Sequence, residues 1–361
     1  MDGRPVIGVI LLAVAITTAR AAMVRDLHAG DAQEPQAWRP RRPVLICNPK
    51  SGGGKVETFG LVALAEELGV EVVLLEPGTD LAQLARDAIA RGADCLGMAG
   101  GDGSQALVAS IAIEHQVPFV VVCAGTRNHF ALDLGLNRDD PRTGMVAFRD
   151  GVLRDVDYAT VGDRLFVNNV SLGIYASIVE EEGYRDAKIE TSLAKLPEML
   201  GRQTDPFDLQ FEDPDGGTVD GAFLVLVSNN PYVLGPSLDV SQRRALDTGR
   251  LGVFAVTAAT GAEAARMVTR ATLGRGGRDP NLHQFTAIDL VVRSRSGQAW
   301  TGIDGESLRL PTPLHFAIHP KGLRLLVPPA SLVTAEKRRA RDVSARALVD
   351  IALGRAQRAA G

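Results

Sequence analysis

Between Pro43 and Thr126 the apolar positions switch repeatedly between two rhythms. PVLIC, from Pro43, is a short unbroken apolar run, the pattern of a strand buried on both faces. From 55 to 68 the rhythm turns helical, with Val56, Phe59, Leu61, Leu64 and Leu68 on one side. VEVVLLEPG reads as a second strand, ended by Pro77-Gly78, and 80–91 as a helix facing inward through Leu81, Leu84, Ala85, Ala88 and Ile89. DCLGMAG is a strand running into glycines, SQALVASIAIEHQ is helical, and PFVVVCAGT is another strand. Strands alternating with helices of this length predict an α/β fold, a parallel sheet covered on both faces. Ligand sites in such sheets lie beyond the carboxyl ends of the strands. The loops at 48–55, 100–104 and 125–128 all follow strand ends, which aims them at one edge.

After about residue 155 the alternation is replaced by short runs of strand character. DLQFEDPDGGTVDGAFLVLVSNN reads as a hairpin turning at Asp213 to Gly217. LGVFAVTA, TAIDLVVRS, QAWTGIDGESLRL, LHFAIHP and GLRLLVPP follow, with helices expected at about 174–199 and 261–273. The expected division is 43–155 for the α/β domain and 156–330 for a mainly β domain, a sandwich. A segment at 1–42 precedes them and a helical tail at 331–361 follows.

Composition narrows the class without naming it. A chain of 361 residues suits two domains, and 45% hydrophobic with 23% charged residues suits ordinary globular protein. The net charge of −4 offers nothing for nucleic acid. Cys47, Cys95 and Cys123 sit in or near apolar runs and read as reduced, buried residues, which favours the cytosol. The apolar run Val6–Ala19 is shorter than the roughly 20 residues of a membrane span. It is open to three readings: a membrane anchor or interfacial helix, a signal peptide, or a segment upstream of a start at Met23. The arginines that follow it would keep the main body in the cytoplasm. Residues 26–42 read as a polar linker, and the tail from Ala335 carries seven basic against three acidic residues.

Four motifs carry chemistry. CNPKSGGGK, Cys47 to Lys55, has the look of a phosphate loop but is not a Walker loop. Val56 stands where a hydroxyl should follow Gly54-Lys55, and Pro49 where the first glycine should stand. The dinucleotide spacing fails as well. Lys55 is either a point charge for phosphates or a solvated first-turn lysine. Gly100-Gly101-Asp102-Gly103-Ser104 lets backbone approach phosphate, and a carboxylate there suits an intervening magnesium ion or a nucleophile to be oriented. Its plain alternative is a capped strand-to-helix turn. Gly125-Thr126-Arg127-Asn128 and Gly302-Ile303-Asp304-Gly305-Glu306 complete the set, the latter also readable as an ordinary Asp-Gly hairpin.

Taken together and in this order, N-P-x-S-G, G-G-D-G, G-T-x-N-x-x-A and D-G-E resemble the diacylglycerol kinase catalytic family, over about residues 43–329. That resemblance implies a Rossmann-like nucleotide-binding domain followed by a β-sandwich, with the active site in the cleft between them. It places Asn48, Ser51 and Gly52 at the ATP site. Gly100, Gly101, Asp102 and Gly103 would cradle the phosphates with Thr126, and Asn128 would shape the same pocket. It makes Asp304 the candidate general base, with Asp102 and Glu306 beside Mg²⁺. Two positions depart from the family pattern. His129 stands where many bacterial relatives have an Asp in the magnesium network, and Thr248 stands where an Asp often ligates a structural magnesium.

The implied activity is ATP-dependent phosphorylation of a lipid hydroxyl, diacylglycerol first. Sphingoid bases or other lipid alcohols come next, NAD after them, and a nucleotide-binding regulator that has lost catalysis is the reading from another class. The implied partner is a membrane lipid, with peripheral membrane contact; a homodimer is left open. His315 and His319 share a strand face about 13 Å apart at roughly 3.3 Å per residue, too far for one metal. Asn168-Asn169 and Asn229-Asn230 read as structural caps.

Overall fold

The structure is a computed structural model that describes residues 36–173, 208–234, 240–243, 245–257 and 281–329. The apolar run at 6–19, the helices expected over 174–199 and 261–273, and the basic tail lie outside the described residues. Among the described residues no helix is long and apolar enough to cross a membrane.

Four parallel strands open the fold: β1 (Pro43–Cys47), β2 (Glu71–Leu74), β3 (Cys95–Gly100) and β4 (Phe119–Cys123). They lie in the order β2-β1-β3-β4, with Val44 opposite Leu96 and Met98 opposite Val121. Every residue of β1, β3 and β4 is buried, as a sheet covered on both faces demands. Alternate residues serve two cores. Val44, Ile46, Leu96, Met98, Phe119 and Val121 pack with α3 (Leu81–Ala90) and α4 (Asp102–Glu114). Leu45, Ala99, Val120 and Val122 pack with α2 (Leu61–Glu67) and with Met145, Ala147 and Phe148. These last belong to α6 (Arg142–Met145) and α7 (Ala147–Asp150), which follow the short α5 (His129–Asp133).

The helix read as one unit over 55–68 is two, α1 (Lys55–Thr58) and α2, separated at Gly60, whose φ is +60°. The helix at 80–91 keeps its expected limits, and the Asp80 carboxylate accepts from the N–H groups of Ala82 and Gln83 at its start. The three cysteines are free and buried. Burial pushes the Cys47 thiol up to about 12 and Cys123 to about 11, so neither is a thiolate at neutral pH.

The rest is mainly β. β5 (Val152–Val161) and β6 (Arg164–Phe166) lead into β7 (Asn169–Gly173), β8 (Leu209–Glu212) and β9 (Thr218–Asn229). β10 (Tyr232–Leu234) and β11 (Val240–Arg243) form a small separate pair. β12 (Leu251–Thr257), β13 (Leu282–Ala287), β14 (Asp289–Ser294), β15 (Gln298–Ile303) and β16 (Glu306–Pro311) precede the last strand, β17 (Leu314–Val327). Hydrogen bonds run from β16 through β15, β7, β9, β8 and β14 to β17 as one branched sheet, with β12 and β13 on the other edge of β9. It wraps a core that includes Phe166, Leu172, Phe211, Val225, Val253, Leu290 and Phe316.

β17 differs from the expectation of two strands at 314–320 and 322–329. It is continuous, with a register shift between His319 and Leu323. Lys321 there has φ +52°, and its N–H is held by the buried Asp157 carboxylate at 2.7 Å. Asp157 also accepts from Gly249 N at 2.7 Å, and so spans the region where the family pattern places a structural ion. Beyond the shift, Leu325 pairs in parallel with Phe119, returning β17 to the first sheet. β5 runs antiparallel along both segments of β17, so two continuous strands join the halves. Part of the expected linker is also structured, since Ala37 bridges Val152 and Trp38 N donates to Gly151 O at 3.0 Å.

Candidate active site

The first three motifs meet through bare backbone. Gly52 follows β1 with φ +55°, and a Cβ on it would collide with the Ala124 carbonyl oxygen. A Cβ on Gly125 would collide with the Gly101 Cα. The three loops therefore approach as closely as chains without side chains can. Asn48 anchors the first loop, its N–H donating to Ala99 O at 2.9 Å and its side chain accepting from Lys50 N at 3.1 Å. Ser51 N donates back to Asn48 O at 3.1 Å. Asn128, fully buried at φ +49°, folds its amide over the third loop. It accepts from Gly125 N at 3.0 Å and donates to Gly125 O at 2.6 Å. Thr126, between them, is exposed.

Lys55 is not a solvated first-turn lysine. Its ammonium donates to Gly125 O at 3.3 Å and Arg138 O at 3.0 Å, carrying a positive charge beside the third loop.

Gly100 ends β3, Gly101 is the extended N-cap of α4, and no side chain caps this helix. Its first-turn N–H groups, which have no intrahelical partner, are an anion site by geometry and dipole. Asp102 lies in that first turn but turns away from it. Its two oxygens accept His129 N and Phe130 N, each at 3.1 Å, so it holds the start of α5.

The fourth motif comes from the β-rich half. Asp304 and Gly305 form the two-residue turn between β15 and β16, with φ +46° and +92°, both positive as a type I′ hairpin requires. The hairpin reading of this motif therefore holds. The Asp304 carboxylate accepts three backbone N–H groups: Val167 at 2.9 Å, Asn168 at 2.9 Å and Asn169 at 3.1 Å. Desolvation nevertheless pushes its carboxyl up to about 7, against those donors and aided by the Asp102 charge. Glu306 is exposed, its Oε1 only 2.5 Å from where a Cβ on Gly103 would stand. That sets its carboxylate against the first turn of α4.

A cavity of about 110 Å³ lies between the halves, lined by Asp102, Arg127, His129, Asn168, Asn169 and Ser171 with Gly302, Asp304 and Gly305. It is smaller than the roughly 300–1,000 Å³ of a ligand pocket, and so a meeting point of reactive groups more than a room for a whole nucleotide. Larger hollows, of about 450 and 520 Å³ around Arg250 and Phe285, share none of these residues.

Among the described residues, no three His, Cys, Asp or Glu side chains gather as a metal cage. A phosphate-bridging magnesium ion needs only one or two carboxylates, because the nucleotide supplies other ligands. Asp102 and Glu306, on either side of the α4 start, fit that smaller requirement. His129, exposed at the cavity, brings an imidazole where a third carboxylate would have served.

Sequence reasoning missed the segment 167–169 as a functional element, because it acts through main-chain N–H groups that any residue types supply. The cap reading holds for Asn229, whose side chain donates to Asp157 O at 2.9 Å and Val167 O at 3.2 Å. It is incomplete for Asn168 and Asn169, which line the cavity.

Residues 42–161 match the family model described as the diacylglycerol kinase catalytic domain. Among the related sequences, one named diacylglycerol kinase of Bacillus subtilis is 26% identical over 278 residues, covering 74% of this chain and 90% of that protein. A diacylglycerol kinase of Mycobacterium tuberculosis is 29% identical over 176 residues, 45% of this chain and only 57% of that protein's length. The crystal structure of a diacylglycerol kinase from Bacillus anthracis superimposes with a TM-score of 0.61 at 20% identity, over 81% of this chain and 99% of that one. At that identity the likeness speaks for the fold.

Proposed function

We propose that this protein transfers the γ-phosphoryl group of ATP to the hydroxyl of a membrane lipid. Diacylglycerol is the first acceptor to consider and phosphatidic acid the product. One observation carries the reading: a carboxyl with its pKa near 7, Asp304, faces a cavity shared with Asp102 and flanked by the uncapped start of α4. A base works best when its pKa lies near the working pH. Asp304 would take the proton of the lipid hydroxyl as its oxygen attacks the γ-phosphorus and ADP leaves. Phosphoryl transfer passes through a loose transition state, so positioning and charge neutralisation dominate. The α4 N–H groups and Lys55 supply positive potential. Asp102 and Glu306 would hold the magnesium ion, which neutralises charge on the phosphate oxygens when bound.

The family match and the relatives named diacylglycerol kinase support the lipid acceptor over NAD. Such a substrate brings the protein to a membrane surface from the cytoplasmic side. The test is purified protein with labelled ATP and magnesium against vesicles carrying diacylglycerol, a sphingoid base or another lipid alcohol, with NAD as the soluble arm. Label is expected in diacylglycerol. Label in a different lipid corrects the acceptor alone. ATP binding with no transfer to any acceptor overturns the reading in favour of a nucleotide-binding regulator.

A further inference from the structure

Arg243 ends β11 with its side chain fully buried, a costly place for a guanidinium unless its donors are met. They are met by unusual partners. Nε donates to Asp133 Oδ2 at 2.7 Å, Nη1 to the carbonyls of Val167 and Asn229, and Nη2 to Asn168 Oδ1 at 3.0 Å. The Tyr232 ring lies 5.6 Å from the guanidinium carbon, and the Tyr232 hydroxyl accepts from the Asn169 side chain at 3.3 Å.

Any buried guanidinium needs partners; what distinguishes this one is which groups it holds. The Val167 carbonyl that Arg243 binds and the Asn168 N–H that Asp304 binds belong to one peptide group. A cation on the carbonyl polarises that group and strengthens its N–H as a donor. Arg243 also holds the Asn168 side chain, so the segment is gripped on one side and presents its N–H groups to Asp304 on the other. Asp133 extends the chain of contacts. It is the last residue of α5, the helix whose first N–H groups Asp102 binds. Contacts thus run unbroken from Asp102 through α5, Asp133, Arg243 and the 167–168 peptide to Asp304.

We propose that Arg243, paired with Asp133, is a positioning residue: it fixes the Asp304 carboxylate relative to Asp102 by holding the Val167–Asn168 peptide. Its consequence for rate rests on the lipid-kinase reading; its structural content does not.

Two variants test it. Arg243→Met with Asp133→Leu removes both charges together, which folds better than leaving one buried alone. Arg243→Lys keeps the charge but not the fork, and serves if the double variant does not fold. Amide hydrogen exchange of Val167, Asn168 and Asn169 is measured without nucleotide or lipid, beside kcat and KM for ATP in transfer to diacylglycerol. In the double variant, exchange at Asn168 is expected to quicken at least about tenfold, and kcat to fall about 10- to 100-fold with KM for ATP within about twofold. Arg243→Lys falls between it and wild type. A folded variant with unchanged exchange at 167–169 overturns the inference whatever the activity. So does quickened exchange with wild-type kcat, or a loss shared equally by kcat and KM. Wild-type protein that phosphorylates no acceptor removes the kinase reading and the rate role together. The exchange comparison then still decides the structural claim, so the two failures are told apart.

Discussion

The α/β half brings its loops to the candidate site as bare backbone, glycine against carbonyl. The β-rich half brings side-chain carboxylates, and Asp304 is steadied by N–H groups from a neighbouring segment. The first device forbids a side chain at the contact, so it writes glycines into the sequence. The second uses groups every residue but proline carries, so it writes nothing. The halves also differ in what a small error does. In the proposed reaction a displaced glycine loop would still present N–H groups to phosphate, whereas a displaced Asp304 would lose its line to the acceptor hydroxyl, and catalysis by a positioned base is steep in geometry.

The largest effect expected from this contrast is at Asp304. Asp304→Asn should lower transfer to lipid at least about a hundredfold, since a positioned base contributes about 10²–10⁴-fold. KM for ATP should stay nearly unchanged, because the phosphates lie with the other half. The pH profile gives the sign. The base acts ionised and its carboxyl stands at about 7. The wild-type rate should therefore fall about tenfold per unit below pH 7 and level off above it. Full transfer by the Asn variant, or a flat profile from pH 5 to 8, breaks the assignment of the base to this half.

What could be read from the sequence divides along the same line. The alternating strands and helices of 43–126 were legible because β1, β3 and β4 are apolar throughout and α3 has one apolar side. Asp102 and Asp304 were legible because glycines flank them. The break at Gly60 was not, since the apolar positions keep helical spacing across it. The continuity of β17 was hidden by Pro320-Lys321-Gly322, which reads as an end but is a bulge held by Asp157, some 160 residues away in sequence. Arg243 and Asp133 were not legible at all. Their pairing spans 110 residues, and neither stands in a motif.

Within the glycine device, adjacent positions separate strain from contact. Gly52→Ala meets both a left-handed φ of +55° and the Ala124 carbonyl, whereas Gly53→Ala, at φ +73°, meets open space. Left-handed backbone costs an alanine about 1–2 kcal/mol, and an overpacked contact about 1–3 kcal/mol more. Urea unfolding should therefore place Gly52→Ala about 2–5 kcal/mol below wild type, and Gly53→Ala about 1–2 kcal/mol below. ATP affinity should drop clearly only in the former. Equal losses would mean that the glycines serve the turn and not the meeting of loops.

The smallest effect expected is the most telling about the amide device. Asn169 lines the cavity, and a carboxamide there invites a catalytic role. Its side chain donates to the Tyr232 hydroxyl at 3.3 Å, while its main-chain N–H serves Asp304. Asn169→Ala keeps that N–H. It should cost about 0.5–1.5 kcal/mol for the lost bond and leave kcat within about threefold of wild type. If the alanine variant instead loses activity as Asp304→Asn does, the carboxamide itself touches the reacting groups. The β-rich half would then contribute chemistry from a side chain beyond Asp304 and Glu306, and its share of the site would be less anonymous in sequence than a row of backbone N–H groups.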